Sequence, residues 1–66
     1  MTVKDFLNIY INSVGANYGI FTEKNHLYLY GCNDTENIIR DFGDRFIKNI
    51  EIENESTVGL LIYLKR

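Results

Sequence analysis

The chain has 66 residues, a formal net charge of −2 at pH 7, and a composition that is 45% hydrophobic and 24% charged. This length predicts one small domain, residues 1–66, or a fragment of something larger, with a thin core, and the apolar fraction excludes an intrinsically disordered chain. The 7 basic and 9 acidic residues lack the basic excess typical of nucleic-acid-binding proteins. Neither a membrane-spanning run nor a secretory signal pattern is present, which predicts a cytoplasmic protein.

The first predicted element is an amphipathic helix that begins after Thr2. Thr2 is a good N-cap, and Asp5 three residues later completes a variant of the capping box. Gly15 is a natural C-terminal stop, although the β-branched and aromatic content allows an earlier end near Tyr10. The apolar stripe has helical spacing: Val3, Phe6, Leu7, Tyr10, Ile11 and Val14.

Two short apolar runs follow, at residues 17–22 and 26–30. The segment between them ends in Asn25, a residue that tolerates the left-handed conformation of a tight turn. This pattern predicts a β-hairpin. A second helix is predicted over residues 33–42, capped by Asn33, Asp34 or Thr35 and terminated by Gly43.

Two further strands are predicted after the second helix. Residues 46–53 alternate apolar and charged side chains, which is typical of an edge strand. A polar turn is expected at residues 54–57. The run at residues 58–65 is apolar on both faces, which favours a central strand, with Val58, Leu60, Ile62 and Leu64 on one face.

The order of elements is therefore α-β-β-α-β-β. It predicts an α+β two-layer sandwich, in which two helices cover one face of a four-stranded, mostly antiparallel sheet.

Two short helices leave the other sheet face uncovered. Because aliphatic side chains pack well beneath helices, we expect aromatic side chains on the uncovered face. That face, taken as the interface, is predicted to carry Phe21, Tyr28, Tyr30, Leu61 and Tyr63. Such a patch is typical of a protein interface, because tyrosine offers a large ring with a polar tip. One alternative is that these tyrosines only cover the sheet, with their hydroxyls in water and no binding partner. Another is that they form a stacking surface for single-stranded nucleic acid.

Candidate catalytic groups do not form a site in the sequence. Cys32 and His26 are six residues apart, or roughly 20 Å along an extended strand, which is too far for a thiol–imidazole pair. The carboxylates of the third strand are typical of a solvated face. One cysteine and one histidine cannot build a structural zinc site. We therefore expect no enzymatic activity, no cofactor, no bound metal and no small-molecule substrate.

Residues 1–7, residues 34–39 and the paired-strand ending resemble a loose group of small phage and mobile-element proteins from low-GC Gram-positive bacteria. The resemblance covers the general pattern of the whole chain. It implies an accessory or host-interaction role and transfers no site residues. Small phage inhibitors, anti-CRISPR proteins among them, are often compact α+β domains of similar size, although the DNA mimics among them are strongly acidic.

The expected function is a non-enzymatic protein–protein interaction module that forms a homodimer through the aromatic sheet face. The first alternative is an inhibitor or adaptor that binds a host protein. The second is a weak binder of single-stranded nucleic acid, which the net charge disfavours. No membrane partner is expected.

Overall fold

The computed structural model describes residues 1–53 and 58–66, so the turn predicted at residues 54–57 lies outside the described residues. The elements follow the predicted order and are α1 (Val3–Ile9), β1 (Asn17–Phe21), β2 (Leu27–Tyr30), α2 (Thr35–Phe42), β3 (Ile47–Ile52) and β4 (Val58–Leu64).

The four strands form one sheet in the order β2-β1-β4-β3. The central pair, β1 and β4, is parallel, whereas β1–β2 and β3–β4 are antiparallel. Val3 of α1 and Ile38 of α2 pack into the same core cluster on one face of this sheet. The predicted fold class is therefore confirmed, as are the edge position of β3 and the central position of β4.

Helix α1 begins as the sequence predicts and ends at the earlier of the two predicted positions, with Tyr10 as its C-cap. The Thr2 hydroxyl accepts a hydrogen bond from the Asp5 amide, and the Asp5 carboxylate accepts one from the Thr2 amide, each at 3.1 Å. The helix ends at Ile9, so Ile11 and Val14 are 82% and 81% exposed and lie outside its apolar stripe. The chain instead turns back toward β1, which leaves these two side chains without a surface to pack on.

The Asn12 side chain closes this turn. Its Oδ1 accepts a hydrogen bond from the Ala16 amide at 3.0 Å, and its Nδ2 donates to the Ala16 carbonyl at 2.8 Å. Nδ2 also lies 3.2 Å from the buried Tyr18 hydroxyl. One amide side chain therefore connects the turn to the first buried residue of β1.

The hairpin and the second helix follow their predicted turn chemistry. Asn25 has a φ of 62°, the left-handed conformation that the hairpin loop requires. Helix α2 begins at Thr35 after Asp34, and Gly43 is its C-cap. Gly43 has a right-handed conformation, and glycine is needed because a Cβ there would collide with the Ile39 carbonyl oxygen.

The core occupies the space between the helices and the sheet. Its buried hydrophobic members are Val3, Tyr18, Ile20, Ile38, Leu60, Ile62 and Leu64. Val58 does not belong to this set, which corrects the predicted face of β4. Asn17 pairs with Val58 but Tyr18 pairs with Leu60, so Gly59 is an extra residue in β4. A bulge of this kind reverses the alternation of side chains, and Val58 lies on the other face, over Gly19.

Candidate functional site: the open face of the sheet

The face of the sheet opposite the helices carries a continuous set of large apolar side chains. Strand register places them together, since Gly19 pairs with Leu29 and Leu61, and Phe21 pairs with Leu27 and Tyr63. Paired residues of adjacent strands point to the same face. We name the following set the open-face patch: Phe21, Leu27, Leu29, Leu61 and Tyr63.

Tyr28 and Tyr30 do not belong to this patch, so the sequence prediction for these two residues was wrong. Tyr28 pairs with Ile20 and Tyr30 pairs with Tyr18, which places both on the helix-covered face. Phe42 lies there, with ring centroids 5.2 Å from Tyr28 and 6.4 Å from Tyr30. The two tyrosines therefore contact Phe42 of α2. Because side chains alternate along β2, Leu27 and Leu29 lie on the open face.

Tyr30 has a specific polar role on the helix-covered face. Its hydroxyl donates a hydrogen bond to the Asp41 carboxylate at 2.8 Å, and the Arg40 guanidinium pairs with the same carboxylate at 3.0 Å. Burial, followed by the contact with Asp41, raises the pKa of Tyr30 to about 12. The Arg40 and Tyr30 contacts lower the pKa of Asp41. These interactions explain Tyr30 as a link between β2 and α2.

The open-face patch is exposed on β2, and at its centre the Leu61 side chain packs over Gly19. Leu29 is 64% exposed and Leu27 is 47% exposed, although both are large aliphatic residues. A Cβ at Gly19 would lie 2.6 Å from Leu61 Cδ2, so the Leu61 side chain occupies the space directly above Gly19. Contiguous exposed apolar surface of this kind commonly marks an interaction site.

Phe21 and Tyr63 form the aromatic end of the patch. Their ring centroids are 5.4 Å apart with an interplanar angle of 47°. The interaction of its hydroxyl with the nearby Glu51 carboxylate, followed by desolvation, raises the pKa of Tyr63. Both rings are half-buried and border an open cleft of about 630 Å³ at the end of the sheet. The cleft is lined by Phe21, Thr22, Glu23, Asn25, Lys48, Tyr63, Leu64, Lys65 and Arg66.

Positive charge is concentrated around this cleft. Lys48, Lys65 and Arg66 line it, and within residues 1–53 and 58–66 their side chains form no ion pair. The one lining carboxylate, Glu23, is paired with Arg45 at 2.6 Å. A hydrogen bond from its own backbone and the Arg45 guanidinium lower the pKa of Glu23. The cleft is therefore cationic although the whole chain has a net charge of −2.

Cys32 and His26 lie beyond opposite ends of β2. The half-buried Cys32 donates its amide to Asn17 Oδ1 at 3.2 Å, and the His26 ring contacts Tyr28. In the described part of the chain, no group of three His, Cys, Asp or Glu side chains could hold a metal ion. Neither α1 nor α2 is long and apolar enough to cross a membrane.

Comparisons with protein families, with curated proteins and with solved structures give no match for this chain. The site is therefore interpreted from its own geometry.

Proposed function

We propose that this chain is a non-enzymatic interaction module that self-associates through its open-face patch. The observation that carries the proposal is the exposure of Leu27 and Leu29 beside the half-buried rings of Phe21 and Tyr63. Burying these side chains against a partner would remove apolar surface from water, which is the main driving force of association.

The charges bordering the patch favour a second copy as the occupant. Glu51 pairs with Leu61 on β4, and Glu53 follows it toward one end of the sheet. Lys48 and Lys65 line the cleft at the opposite end. A two-fold axis between two facing sheets, perpendicular to the strands, places the acidic end of one copy over the basic end of the other. Most oligomers use such symmetric interfaces.

The size of the face indicates the strength of this association. Four strands about 4.8 Å apart, with about five residues each, make a face of roughly 300 Å². A standard stable interface buries about 800 Å² per partner. We therefore expect a weak dimer whose population depends on protein concentration.

Light scattering coupled to size exclusion, over a concentration series, tests the proposal. The wild-type mass should rise with concentration, and Leu29→Lys should remain monomeric because it places a charge in the patch. Ile52→Lys is the matched control, since Ile52 is 71% exposed but pairs with the core residue Leu60 on the other face. It should associate like the wild type.

Two outcomes contradict the proposal. A wild-type mass that stays monomeric at every concentration excludes self-association, and a heterologous protein then becomes the proposed occupant. Equal loss of association in Leu29→Lys and Ile52→Lys excludes the open face as the interface.

A further inference from the structure

The cleft at the end of the sheet combines two kinds of recognition group. Phe21 and Tyr63 form one wall with their rings, and Lys48, Lys65 and Arg66 supply three positive charges. An apolar partner surface would form no favourable electrostatic interaction with the three cations. A simple inorganic anion would have no ring to stack on Phe21 and Tyr63. The combination fits a ligand that carries a planar ring and an anionic group together.

The electrostatics of the cleft favour an anion. Arg45 neutralises Glu23, so that carboxylate does not offset the three lining cations, which form no ion pair in the described part of the chain. Glu51 and Glu53, whose charges raise the pKa of Tyr63, lie outside the lining of the cleft. Lys24 lies in the hairpin loop between the lining residues Glu23 and Asn25. Five of the seven Lys and Arg residues of the chain therefore gather at this end. Clefts lined by one sign of charge raise the local concentration of oppositely charged ligands.

The position of the rings favours a nucleic acid base. Phe21 and Tyr63 lie on the two central strands, on the face without helices, so a flat base can approach them from solvent. Aromatic side chains on a sheet, bordered by basic residues, bind single strands because every base has a face that can stack. A volume of about 630 Å³ lies within the range of small-ligand sites and admits a nucleotide unit.

We infer that this cleft binds a short segment of single-stranded nucleic acid, with one base against Phe21 and Tyr63 and three neighbouring phosphates against Lys48, Lys65 and Arg66. The inference stands independently of self-association, since it concerns the monomer. It is therefore tested at low protein concentration, where a weak dimer is dissociated.

The first measurement is fluorescence anisotropy of a short labelled single-stranded oligothymidylate, titrated with the wild-type protein. Neutralisation of three phosphates predicts a slope of about −2 in log affinity against log salt, or a loss of about 20-fold between 50 and 200 mM salt. A duplex of the same length should bind more weakly, because its bases are already stacked. No binding at low salt, or equal binding of duplex and single strand, overturns the inference.

Variants separate the ring from the charge. Tyr63→Leu should weaken binding by roughly 5- to 150-fold, the usual contribution of one stacked base, whereas Tyr63→Phe keeps the ring and should bind like the wild type. Tyr28→Leu removes an aromatic ring from the other face and should leave binding unchanged. Tyr63→Leu binding as tightly as Tyr63→Phe contradicts base stacking at this site.

A charge variant keeps the test valid if Tyr63→Leu fails to fold. Lys65 is exposed and follows the end of β4, so Lys65→Gln should fold normally. It should lower the affinity and reduce the magnitude of the salt slope by about 0.7. Lys4→Gln makes the same change at an exposed position of α1 and should alter neither quantity. Equal effects of the two variants would show attraction by overall charge alone and overturn the proposed cleft.

Discussion

The rings of Phe21 and Tyr63 lie 5.4 Å apart because these two residues are in register on the parallel strands β1 and β4. Phe21 comes from the first hairpin and Tyr63 from the last strand, so the aromatic pair exists only when the central strands have paired. This pair belongs both to the open-face patch and to the cationic cleft. The two proposed binding events therefore compete for the same rings.

Competition gives the first prediction. A single-stranded oligonucleotide bound at Phe21 and Tyr63 should shift the protein from dimer to monomer, because a ligand that binds only the monomer draws the equilibrium toward it. Sedimentation of fluorescein-labelled protein at a concentration where the dimer is populated measures this shift, with a duplex of equal length as the control. A dimer population that the oligonucleotide leaves unchanged would show that the two sites are separate.

The second prediction concerns the pH dependence of stability through Tyr30. The pKa of its hydroxyl is raised from 10.0 to about 12, so its stabilising contribution is complete below pH 10 and is lost as pH rises through about 12. Tyr30→Phe should therefore lose less stability than the wild type between these pH values. Thermal unfolding midpoints of both proteins across this range measure the difference. Parallel pH profiles would contradict the role assigned to Tyr30.

The third prediction concerns the acid side of the stability profile. Contacts with Arg40 and Tyr30 lower the pKa of Asp41 from 3.8. Its contribution to stability is therefore present above pH 3.8 and is lost as pH falls through the lower folded value. Asp41→Asn should flatten this part of the profile, as chemical unfolding at several pH values can measure. Asp44→Asn, an exposed change close by in sequence, is the control and should follow the wild-type curve.

The fourth prediction tests the bulge in β4. A Cβ at Gly59 would collide with the Ala16 side chain, so Gly59→Ala should lower the free energy of unfolding by about 1–3 kcal/mol. A Cβ at Gly31 would have Asp34 Oδ2 as its nearest neighbour, at an ordinary contact distance of 3.5 Å, and Gly31→Ala should fold with little change. Urea denaturation compares the two variants. A Gly59→Ala protein as stable as Gly31→Ala would exclude the close contact between β4 and the turn before β1.

The fifth prediction concerns Asn12. Replacement by alanine removes three hydrogen bonds from the turn between α1 and β1 and should lower the free energy of unfolding by about 1–3 kcal/mol. Asn8 is exposed on α1, and Asn8→Ala should change stability by no more than about 0.5 kcal/mol. Thermal denaturation of the two variants provides the comparison. Equal stabilities would show that the Asn12 bonds contribute no more than contacts with water.

Local features of the fold could be predicted from the sequence because neighbouring residues produce them. The Thr2–Asp5 capping box and the left-handed Asn25 depend on residues within one turn of each other. The alternation of β3 likewise indicated an edge strand. The sequence allowed two ends for α1, Gly15 or a position near Tyr10, and the structure selects the second, with Tyr10 as the C-cap, because the hydrogen bonds of Asn12 turn the chain toward β1.

The candidate site was predicted in part. Alternation placed Phe21 and Ile20 on different faces of β1, and Leu61 and Ile62 on different faces of β4. The strand register confirms both placements. For β2, alternation separates the tyrosines from the leucines without showing which pair faces the helices. A preference for aliphatic residues beneath helices gave the wrong choice, because it ignored Phe42. The sequence did contain a signal that could have corrected this choice. The second predicted helix carries Phe42, which is an aromatic partner for the tyrosines of the predicted hairpin.

The sequence by itself determined the elements, their order and the alternation of the strands except at the β4 bulge, which moves Val58 to the other face, because capping, turn chemistry and alternation act between near neighbours. Only the tertiary structure decided which face the helices cover and where the charges gather. Lys48, Lys65 and Arg66 reach one cleft through the pairing of β3 with β4, and Phe21 reaches it through the pairing of β1 with β4. A net charge of −2 averages over positions, whereas a ligand responds to the charges within a few ångströms of it.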